Sequence, residues 1–158
     1  MQKQTLQIDK AKAKKLFKTA ASEFKEMLID TFGKDYFTGN IMDRITNFND
    51  ICLELGTTEE EFKNKWGHLP SDEYAYKQLK LITEVLNEEK NWADFDNTNQ
   101  YKWWPWHTGG AAGFGFSRSN CTRTITRTDI GSRLCYKTEE LATFSGKVFI
   151  NIWKNFKI

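Results

Sequence analysis

The sequence predicts an α+β fold with an N-terminal helical layer, a small antiparallel sheet at about residues 101–136, and a C-terminal helix packed on that sheet. Three observations lead to this prediction. Apolar residues recur at helical spacing among many Lys and Glu side chains in the first part of the chain. Aromatic, Thr and Arg residues then alternate with a period of two after Trp92, and a helical apolar stripe returns after Thr138.

The N-terminal layer is predicted to begin with a short strand and two helices. Residues 5–8 are compatible with a strand, and Asp9 is a suitable N-cap for a helix that continues through Phe17. Ser22 is a second N-cap candidate, and the helix after it carries apolar residues at positions i, i+3, i+4 and i+8. Gly33 is the expected end of this helix, because glycine readily adopts the left-handed conformation that terminates helices.

Three more helices are predicted before the composition changes. A short helix is preceded by Asn47 or Asn49, either of which is a suitable cap. Thr58 and Glu61 have the spacing of a capping box, in which each side chain accepts a hydrogen bond from the other residue's backbone N–H. The longest helix, over about residues 72–90, has an apolar face that requires a partner surface.

The predicted sheet begins where tryptophan and glycine become frequent. Residues 103–107 have the pattern of a strand end, and residues 109–115 that of a hairpin loop. Residues 122–128 alternate threonine with Arg and Ile and form the clearest predicted strand. Residues 134–136 are expected to form another strand after a turn.

The chain is expected to end in one helix over residues 139–156. Thr138 is its predicted N-cap, and two glutamates place negative charge in the first turn, where the helix dipole favours it. An apolar stripe runs along the whole helix, so the helix is expected to pack on the sheet. The chain is predicted to be a single domain over residues 1–158, with a helical part (1–92) and a β-rich part that includes the C-terminal helix (93–158).

Positive charge is concentrated in one part of a nearly neutral chain. The net charge is only +2, which argues against a general nucleic-acid binder. Residues 97–137 hold six basic groups and one acidic group, a net charge of +5, whereas residues 1–96 carry a net charge of −4. A basic patch of this kind favours an anionic ligand or the acidic face of a protein.

Several classes of site find no support in the sequence. The three cysteines are unevenly spaced and form no CxxC or Cys/His cluster, so reduced thiols in a cytosolic protein are expected. No apolar run approaches the roughly 18 residues of a membrane span. The polar N-terminus does not resemble a signal peptide. No metal, cofactor or membrane partner is therefore expected.

The residues predicted to bind a partner are mainly aromatic and arginine side chains of the β-rich part. Trp, Tyr and Arg dominate binding hot spots, and Arg forms bidentate hydrogen bonds with phosphate and carboxylate groups. Some tryptophans are also candidates for the core, because alternation places Trp103 and Trp104 on opposite faces of a strand. The candidate ligand- or partner-binding residues are Trp103, Trp106, His107, Phe114, Phe116, Arg118, Arg123, Arg127 and Arg133.

Few residues are suited to catalysis, and no catalytic residue is predicted. His107 can act as a general base only beside a nucleophile or a carboxylate, such as Asp94, Asp96 or Cys121. Stacking on an aromatic ring, or a hydrogen bond to the backbone, is the favoured interpretation of this histidine. The glycine-rich residues 109–115 lack the GK[ST] ending of a phosphate-binding loop.

Two groups of sequence blocks resemble a known set of proteins. They are LQID (6–9), SEFKEML (22–28), TFGK (31–34) and NFNDIC (47–52), followed by GSRLCYK (131–137), ELA (140–142) and FI (149–150). Together they resemble small uncharacterised proteins encoded by phages and prophages of gut Bacteroidales bacteria. The resemblance covers most of the chain and is most specific over residues 131–156. It implies a viral origin and assigns no catalytic residues.

Three functions are compatible with these residues. The first is a non-catalytic binding protein of the host cytoplasm that engages a host protein or an anionic, nucleotide-like ligand, as a phage counter-defence factor would. The second is a virion or assembly component that uses the same surface as a subunit interface, which includes a homo-oligomer. The third, with the least support, is a small hydrolase that uses His107. Nucleic acid is a partner that the net charge does not favour.

Overall fold

The computed structural model describes residues 8–109, 113–123 and 133–158. In these ranges the predicted α+β class is confirmed, because helices lie on both sides of a two-stranded antiparallel sheet along the chain. No helix in the described ranges is long and apolar enough to cross a membrane. The elements are α1 (Lys10–Thr19), α2 (Ser22–Phe32), α3 (Asp35–Thr38), α4 (Ile41–Arg44), α5 (Phe48–Glu54), α6 (Glu59–Trp66), α7 (Ser71–Leu86), β1 (Lys102–Thr108), β2 (Gly115–Thr122), α8 (Glu139–Val148) and α9 (Ile150–Lys157).

The first two helices begin and end largely as the sequence predicts. Asp9 caps α1, because its side chain accepts a hydrogen bond of 2.8 Å from the backbone N–H of Lys12. Helix α2 ends at Gly33, whose φ of 87° only glycine adopts without strain. Ser22 is the first helical residue and not the cap, which is Ala21. The predicted strand over residues 5–8 lies, except for its last residue, outside the described ranges.

Capping boxes begin the next two long segments of helix. At α5, Asp50 N donates to Asn47 Oδ1 at 3.1 Å, and Asn47 N donates to Asp50 Oδ2 at 3.3 Å. At α6, Glu61 N donates to Thr58 Oγ1 and Thr58 N donates to Glu61 Oε2, both at 3.1 Å. These bonds satisfy amides that the first turn of a helix leaves without partners. The predicted caps Asn47 and Thr58 are therefore confirmed.

The longest helix, α7, is shorter than the sequence predicts and ends at Leu86. Glu88 takes a positive φ of 51°, which turns the chain out of the helix. Between them, Asn87 connects the helix to a distant part of the chain. Its Nδ2 donates to Cys135 O, and its Oδ1 accepts from Lys137 N, both at 2.9 Å. The periodicity of apolar residues predicts a longer helix because it does not reveal that the Asn87 side chain bonds Cys135 and Lys137.

Strands β1 and β2 form the predicted hairpin, with one irregularity. Trp106 lies opposite Arg118, and His107 lies opposite Phe116, so Ser117 is an extra residue in β2. This arrangement is a β-bulge, which bends a strand and redirects its side chains. The bulge separates the part of the hairpin near the connecting loop from the part near its open end.

The other predicted strands differ from expectation. Of residues 122–128, Thr122 ends β2, and residues 124–130 lie outside the described ranges. Residues 134–136 contribute only an isolated antiparallel bridge, in which Trp103 and Tyr136 exchange backbone hydrogen bonds of 3.0 and 2.7 Å. On the other edge of this segment, Asn87 bonds the carbonyl of Cys135 and the amide of Lys137, which flank Tyr136.

Two helices replace the single C-terminal helix that the sequence predicts. Thr138 caps α8 as expected, and its Oγ1 accepts from Leu141 N at 3.3 Å. Phe149, with φ −104° and ψ 28°, interrupts the helix, and α9 begins at Ile150. Helix α8 packs on both strands of the hairpin, whereas α9 packs on α7. The interruption therefore lets two halves of one apolar stripe contact different surfaces.

One hydrophobic cluster connects the N-terminal helices to the C-terminal part of the chain. Inside it, the Tyr136 hydroxyl lies 2.6 Å from Ser145 Oγ. Burial raises the pKa of Tyr136 to about 12, so the hydroxyl stays protonated at neutral pH. The predicted single domain over residues 1–158, with a helical part (1–92) and a β-rich part (93–158), stays a prediction. The buried members of the cluster are Ile41, Ile45, Phe48, Ile51, Cys52, Phe62, Leu79, Ile82, Val85, Leu86, Leu134, Tyr136, Ala142, Phe149 and Trp153.

Candidate binding surface

One face of the hairpin packs directly against α8. Ser119 Oγ lies 2.9 Å from Thr143 Oγ1 across this contact. A Cβ atom placed on Gly146 would lie 2.5 Å from the Phe116 ring and 2.7 Å from Pro105 Cβ, so the helix backbone itself touches the hairpin. Phe116, a predicted binding residue, is therefore part of the packing between the hairpin and the helix.

His107 and Phe114, two more of the predicted binding residues, also pack within the protein. Their rings stack with centroids 4.9 Å apart and an interplanar angle of 15°. The His107 ring lies 5.4 Å from that of Trp153, and its Nε2 lies 3.4 Å from Gly146 O. This is the stacked, backbone-contacting arrangement that the sequence favours over a general base. His107 therefore helps to hold the hairpin on the C-terminal helices.

The opposite face of the hairpin presents Trp106 and Arg118 to solvent. Trp106 is 37% exposed, and Arg118 is exposed beside it. Residues directly opposite each other in an antiparallel pair have Cβ atoms about 4.5–5.5 Å apart, so the indole and the guanidinium are neighbours. Arg118 Nε donates to Asn120 Oδ1 at 3.2 Å, which orients the guanidinium along the strand.

Tyr101 and Arg123, which lie just beyond β1 and β2, form a second exposed pair at the open end of the hairpin. Arg123 Cζ lies 4.2 Å from the centre of the Tyr101 ring, and Arg123 Nη2 donates to the Tyr101 hydroxyl. Stacking holds the guanidinium in place and leaves part of its edge accessible. Tyr101 is itself 45% exposed. The five residues Tyr101, Trp106, Arg118, Asn120 and Arg123 are called the hairpin surface below.

The other two tryptophans of β1 belong to the interior. Trp104 is buried, and Trp103 is half-buried and packs against the hydrophobic cluster. Trp103 also forms the backbone bridge to Tyr136. Trp103, although predicted to bind a partner, therefore lies apart from Trp106 and contributes to the core.

The charge at the hairpin surface is smaller than the sequence implies. Lys102 is fully buried, and its Nζ donates to Gln100 O at 3.1 Å and to Asn97 O at 3.4 Å. Its ammonium therefore donates hydrogen bonds to backbone oxygens and is not presented to a partner. Sequence reasoning also missed Tyr101 and Asn120. The position of Tyr101 at the start of the tryptophan-rich run was a usable signal, because that run was already predicted to form a strand.

Arg127 and Arg133 are not part of the hairpin surface. Arg127 lies outside the described residues. Arg133 is exposed, and its Cζ lies 6.0 Å from the centre of the Phe95 ring. It lines a cavity formed by α6, α7 and residues 87–93. The basic segment that the sequence predicts as one functional surface is thus divided between two regions.

The cavity beside Arg133 has a volume of about 610 Å³. Trp66 and Trp92 are half-buried and line it. The ammonium groups of Lys65 and Lys77 lie 5.0 and 4.6 Å from the centre of the Trp66 ring. Sequence reasoning missed this cavity. The sequence offers one indication of it. Trp66 directly follows Lys65 at the end of a short helix, and such a pair favours a partly exposed position over a core position.

The side chains of these two regions are suited to binding. Cys135, which lines the cavity, is buried, and burial raises the pKa of its thiol to about 11. At neutral pH it is a thiol and not the thiolate that a nucleophile requires. Within the ranges that the structure describes, no three His, Cys, Asp or Glu side chains are grouped so as to hold a metal ion.

In comparisons with known proteins, no family model, no curated protein and no solved structure matches the chain.

Proposed function

We propose that the protein is a non-catalytic binding protein whose hairpin surface engages an acidic face of a partner protein. The observation that carries the proposal is the exposed Trp106 directly opposite the exposed Arg118. Leaving an indole in contact with water forgoes the free energy that burial would gain. Tryptophan and arginine are also the side chains most enriched where binding energy is concentrated.

Charge favours an acidic partner. Residues 97–123 contain no Asp or Glu, while Arg118 and Arg123 both present guanidinium groups. Each guanidinium is already oriented, that of Arg118 by Asn120 and that of Arg123 by Tyr101. Prior orientation lowers the entropy lost when such groups form bidentate contacts with carboxylates.

The extent of the hairpin surface favours a protein over a small ligand. From Tyr101 to Trp106 the strand extends roughly 16 Å at about 3.3 Å per residue. Alternation turns Tyr101 to the side of the strand opposite to Trp106, so a small molecule at Trp106 would not reach the Tyr101–Arg123 pair, and contact with both pairs requires a partner large enough to span the end of the hairpin. The resemblance to proteins of phages and prophages of gut Bacteroidales supports a host protein as the partner, with a counter-defence role in the host cytoplasm.

The experiment compares three baits in a lysate of a gut Bacteroidales bacterium. The first is the wild-type protein, and the second carries Trp106→Ala with Arg118→Ala. The control carries Met27→Ala with Lys34→Ala, which removes an exposed apolar side chain and an exposed cation from the N-terminal helices. We expect at least one host protein to bind the wild type and the control equally and to be reduced about tenfold or more on the hairpin variant.

Two other results would count against the proposal. Equal recovery of the same proteins on all three baits would mean that the hairpin surface does not select the partner. Recovery of phage structural proteins, or of further copies of this chain, in place of host proteins would favour the virion or assembly component.

A further inference from the structure

The cavity between α6, α7 and residues 87–93 has the features of a ligand site separate from the hairpin surface. Its volume of about 610 Å³ lies within the range of small-molecule pockets, about 300–1,000 Å³. Phe62 and Trp92 contribute apolar wall, and the exposed Lys80 and Lys90 lie where the cavity meets solvent. An apolar interior with a polar rim is typical of sites that bind small amphiphilic molecules.

Positive charge predominates around the cavity. Among the described residues that line it, five are basic and three are acidic. One of the three carboxylates is already paired with a cation that does not line the cavity, because Glu89 Oε2 lies 2.9 Å from Lys137 Nζ. The cations therefore exceed the carboxylates that are available to neutralise them, and the cavity attracts an anionic group.

Trp66 holds two of these cations in position. The ammonium of Lys65 lies 5.0 Å and that of Lys77 lies 4.6 Å from the centre of its ring. Such cation–π contacts restrict the flexible lysine chains. An ammonium has three N–H donors, so contact with one ring leaves donors for hydrogen bonds to another group. An anion beside Trp66 would accept charge-assisted hydrogen bonds from both lysines.

The wall of the cavity also contains unusual backbone. In the part of the chain that the structure describes, three non-glycine residues have φ in the left-handed region: Glu88 (51°), Asn91 (55°) and Arg133 (62°). Asn91 and Arg133 line the cavity, and Glu88 stands between two residues that line it, Asn87 and Glu89. Such conformations cost free energy and concentrate at binding and catalytic sites. Their clustering around one cavity indicates a ligand site, and this indication does not depend on the charge of the cavity.

We propose that this cavity binds a nucleoside monophosphate, that is, a planar aromatic ring that carries a phosphate. The ring lies in the apolar part of the cavity against Trp92, and the phosphate contacts Lys65 and Lys77 at the edge of Trp66. An apolar wall beside two positioned cations selects this class over an uncharged aromatic molecule. The site uses no residue of the hairpin surface, so it does not depend on the proposed partner protein.

NMR titration of the ¹⁵N-labelled protein tests the proposal. The indole N–H signals are followed while AMP, GMP, CMP or UMP is added, and Trp66→Phe and Trp92→Phe assign the two relevant signals. We expect at least one nucleotide to shift both signals saturably, with a Kd of about 1 mM or lower, while the Trp106 signal stays in place. The matching nucleoside, which lacks the phosphate, is expected to bind about tenfold more weakly or worse.

A pair of matched charge variants tests the role of the lysines. Lys65→Gln with Lys77→Gln removes the two ammonium groups held at the cavity. Lys25→Gln with Lys147→Gln removes two ammonium groups that lie over phenylalanine rings elsewhere in the protein. We expect the cavity variant to weaken nucleotide binding about tenfold or more and the control to change it less than about twofold.

Three results would each overturn the proposal. One is the absence of a saturable shift of these indole signals with all four nucleotides. Another is equal affinity for a nucleotide and its nucleoside. The third is a loss of affinity in the control variant as large as that in the cavity variant. If circular dichroism shows that the cavity variant does not fold, the comparison of nucleotide with nucleoside on the wild-type protein still decides whether the cavity binds the phosphate group.

Discussion

The Tyr136 hydroxyl lies 2.6 Å from Ser145 Oγ, at the point where the bridge to the hairpin meets α8. Ser145 Oγ also accepts from Trp153 Nε1 at 3.1 Å, and the Tyr136 hydroxyl lies 3.4 Å from Thr83 Oγ1 on α7. All four side chains are buried. Because Ser145 Oγ forms hydrogen bonds with two large aromatic residues, this buried network depends on a single small hydroxyl group.

Ser145→Ala should therefore destabilise the protein strongly for so small a change. It removes the hydrogen-bond partner of Trp153 Nε1 and the closer partner of the Tyr136 hydroxyl. Each lost partner in a buried site costs about 1–3 kcal/mol, so we expect a loss of about 2–4 kcal/mol in the free energy of unfolding, measured in urea. Ser22→Ala, at the exposed first position of α2, is the control and should change stability by less than about 0.5 kcal/mol. Equal effects of the two changes would contradict the network.

Gly146→Ala should also destabilise the protein, although alanine favours helices more than glycine does. The new Cβ would meet the Phe116 ring at 2.5 Å and Pro105 Cβ at 2.7 Å, which forces α8 away from the hairpin. Overpacking of this kind costs about 1–3 kcal/mol, more than the roughly 1 kcal/mol that helix propensity returns. Gly109→Ala, which has no atom within 4 Å of its new Cβ, is the control for thermal unfolding. A rise in the melting temperature of Gly146→Ala would refute the close contact.

Stability should decrease in alkaline solution because two thiols are buried. Burial raises the pKa of Cys135 to about 11 and that of Cys52 to about 12, from an ordinary value of 9.0. Above pH 9 the unfolded chain releases these protons while the folded protein retains them, so the unfolded state binds fewer protons and is favoured as the pH rises. The slope is at most about 1.4 kcal/mol per pH unit for each thiol.

The measurement is urea unfolding of the wild type and of Cys52→Ala at several values between about pH 8 and about pH 10.5. Replacement of Cys52 should reduce the dependence on pH, whatever its effect on stability at neutral pH. The exposed Cys121 serves as the control, because Cys121→Ala should leave the slope unchanged. Parallel curves for all three proteins would show that burial of the Cys52 thiol does not govern its protonation.

Salt should weaken binding of the proposed partner protein to the hairpin surface. The Debye length falls from about 10 Å at 0.1 M salt to about 3 Å at 1 M, so exposed guanidinium–carboxylate attraction is progressively screened. Arg118→Ala with Arg123→Ala should lower affinity at low salt and flatten its dependence on salt, with little change in thermal stability because both residues are exposed. Calorimetric titration with the captured host protein at several salt concentrations measures this. The control Lys12→Ala with Lys34→Ala should retain the wild-type slope.

Local signals in the sequence predicted the helix starts well. The caps at Asn47, Thr58 and Thr138 are interactions between residues three positions apart, so their pattern is contained in a few letters of sequence. The hairpin was predictable for a related reason, because a glycine-rich turn and alternating residues are also local features. The interruption at Phe149 was not, since it depends on which surfaces the two halves of the helix contact.

Burial within the predicted binding segment could not be derived from the sequence. Trp104 and Trp106 are two residues apart in one strand and point to the same side by alternation, yet the first is buried and the second is exposed. Lys102 and Arg118 are both basic, but only Lys102 is enclosed by backbone carbonyl groups. The difference arises from tertiary contacts that no spacing of residue types encodes. For the same reason the sequence could not show that helices α6 and α7 combine with the distant Arg133 to form the cavity.

The double hydrogen bond of Asn87 has a mechanical consequence. Residues 135–137 are held on one side by Asn87 and on the other by the bridge between Tyr136 and Trp103, through four hydrogen bonds of 2.7 to 3.0 Å. The strand that carries the exposed Trp106 and the wall that carries Arg133 are thus connected through three residues. A displacement of β1 relative to α7 would therefore have to bend or break these bonds, in addition to disturbing the packing of the hairpin on α8.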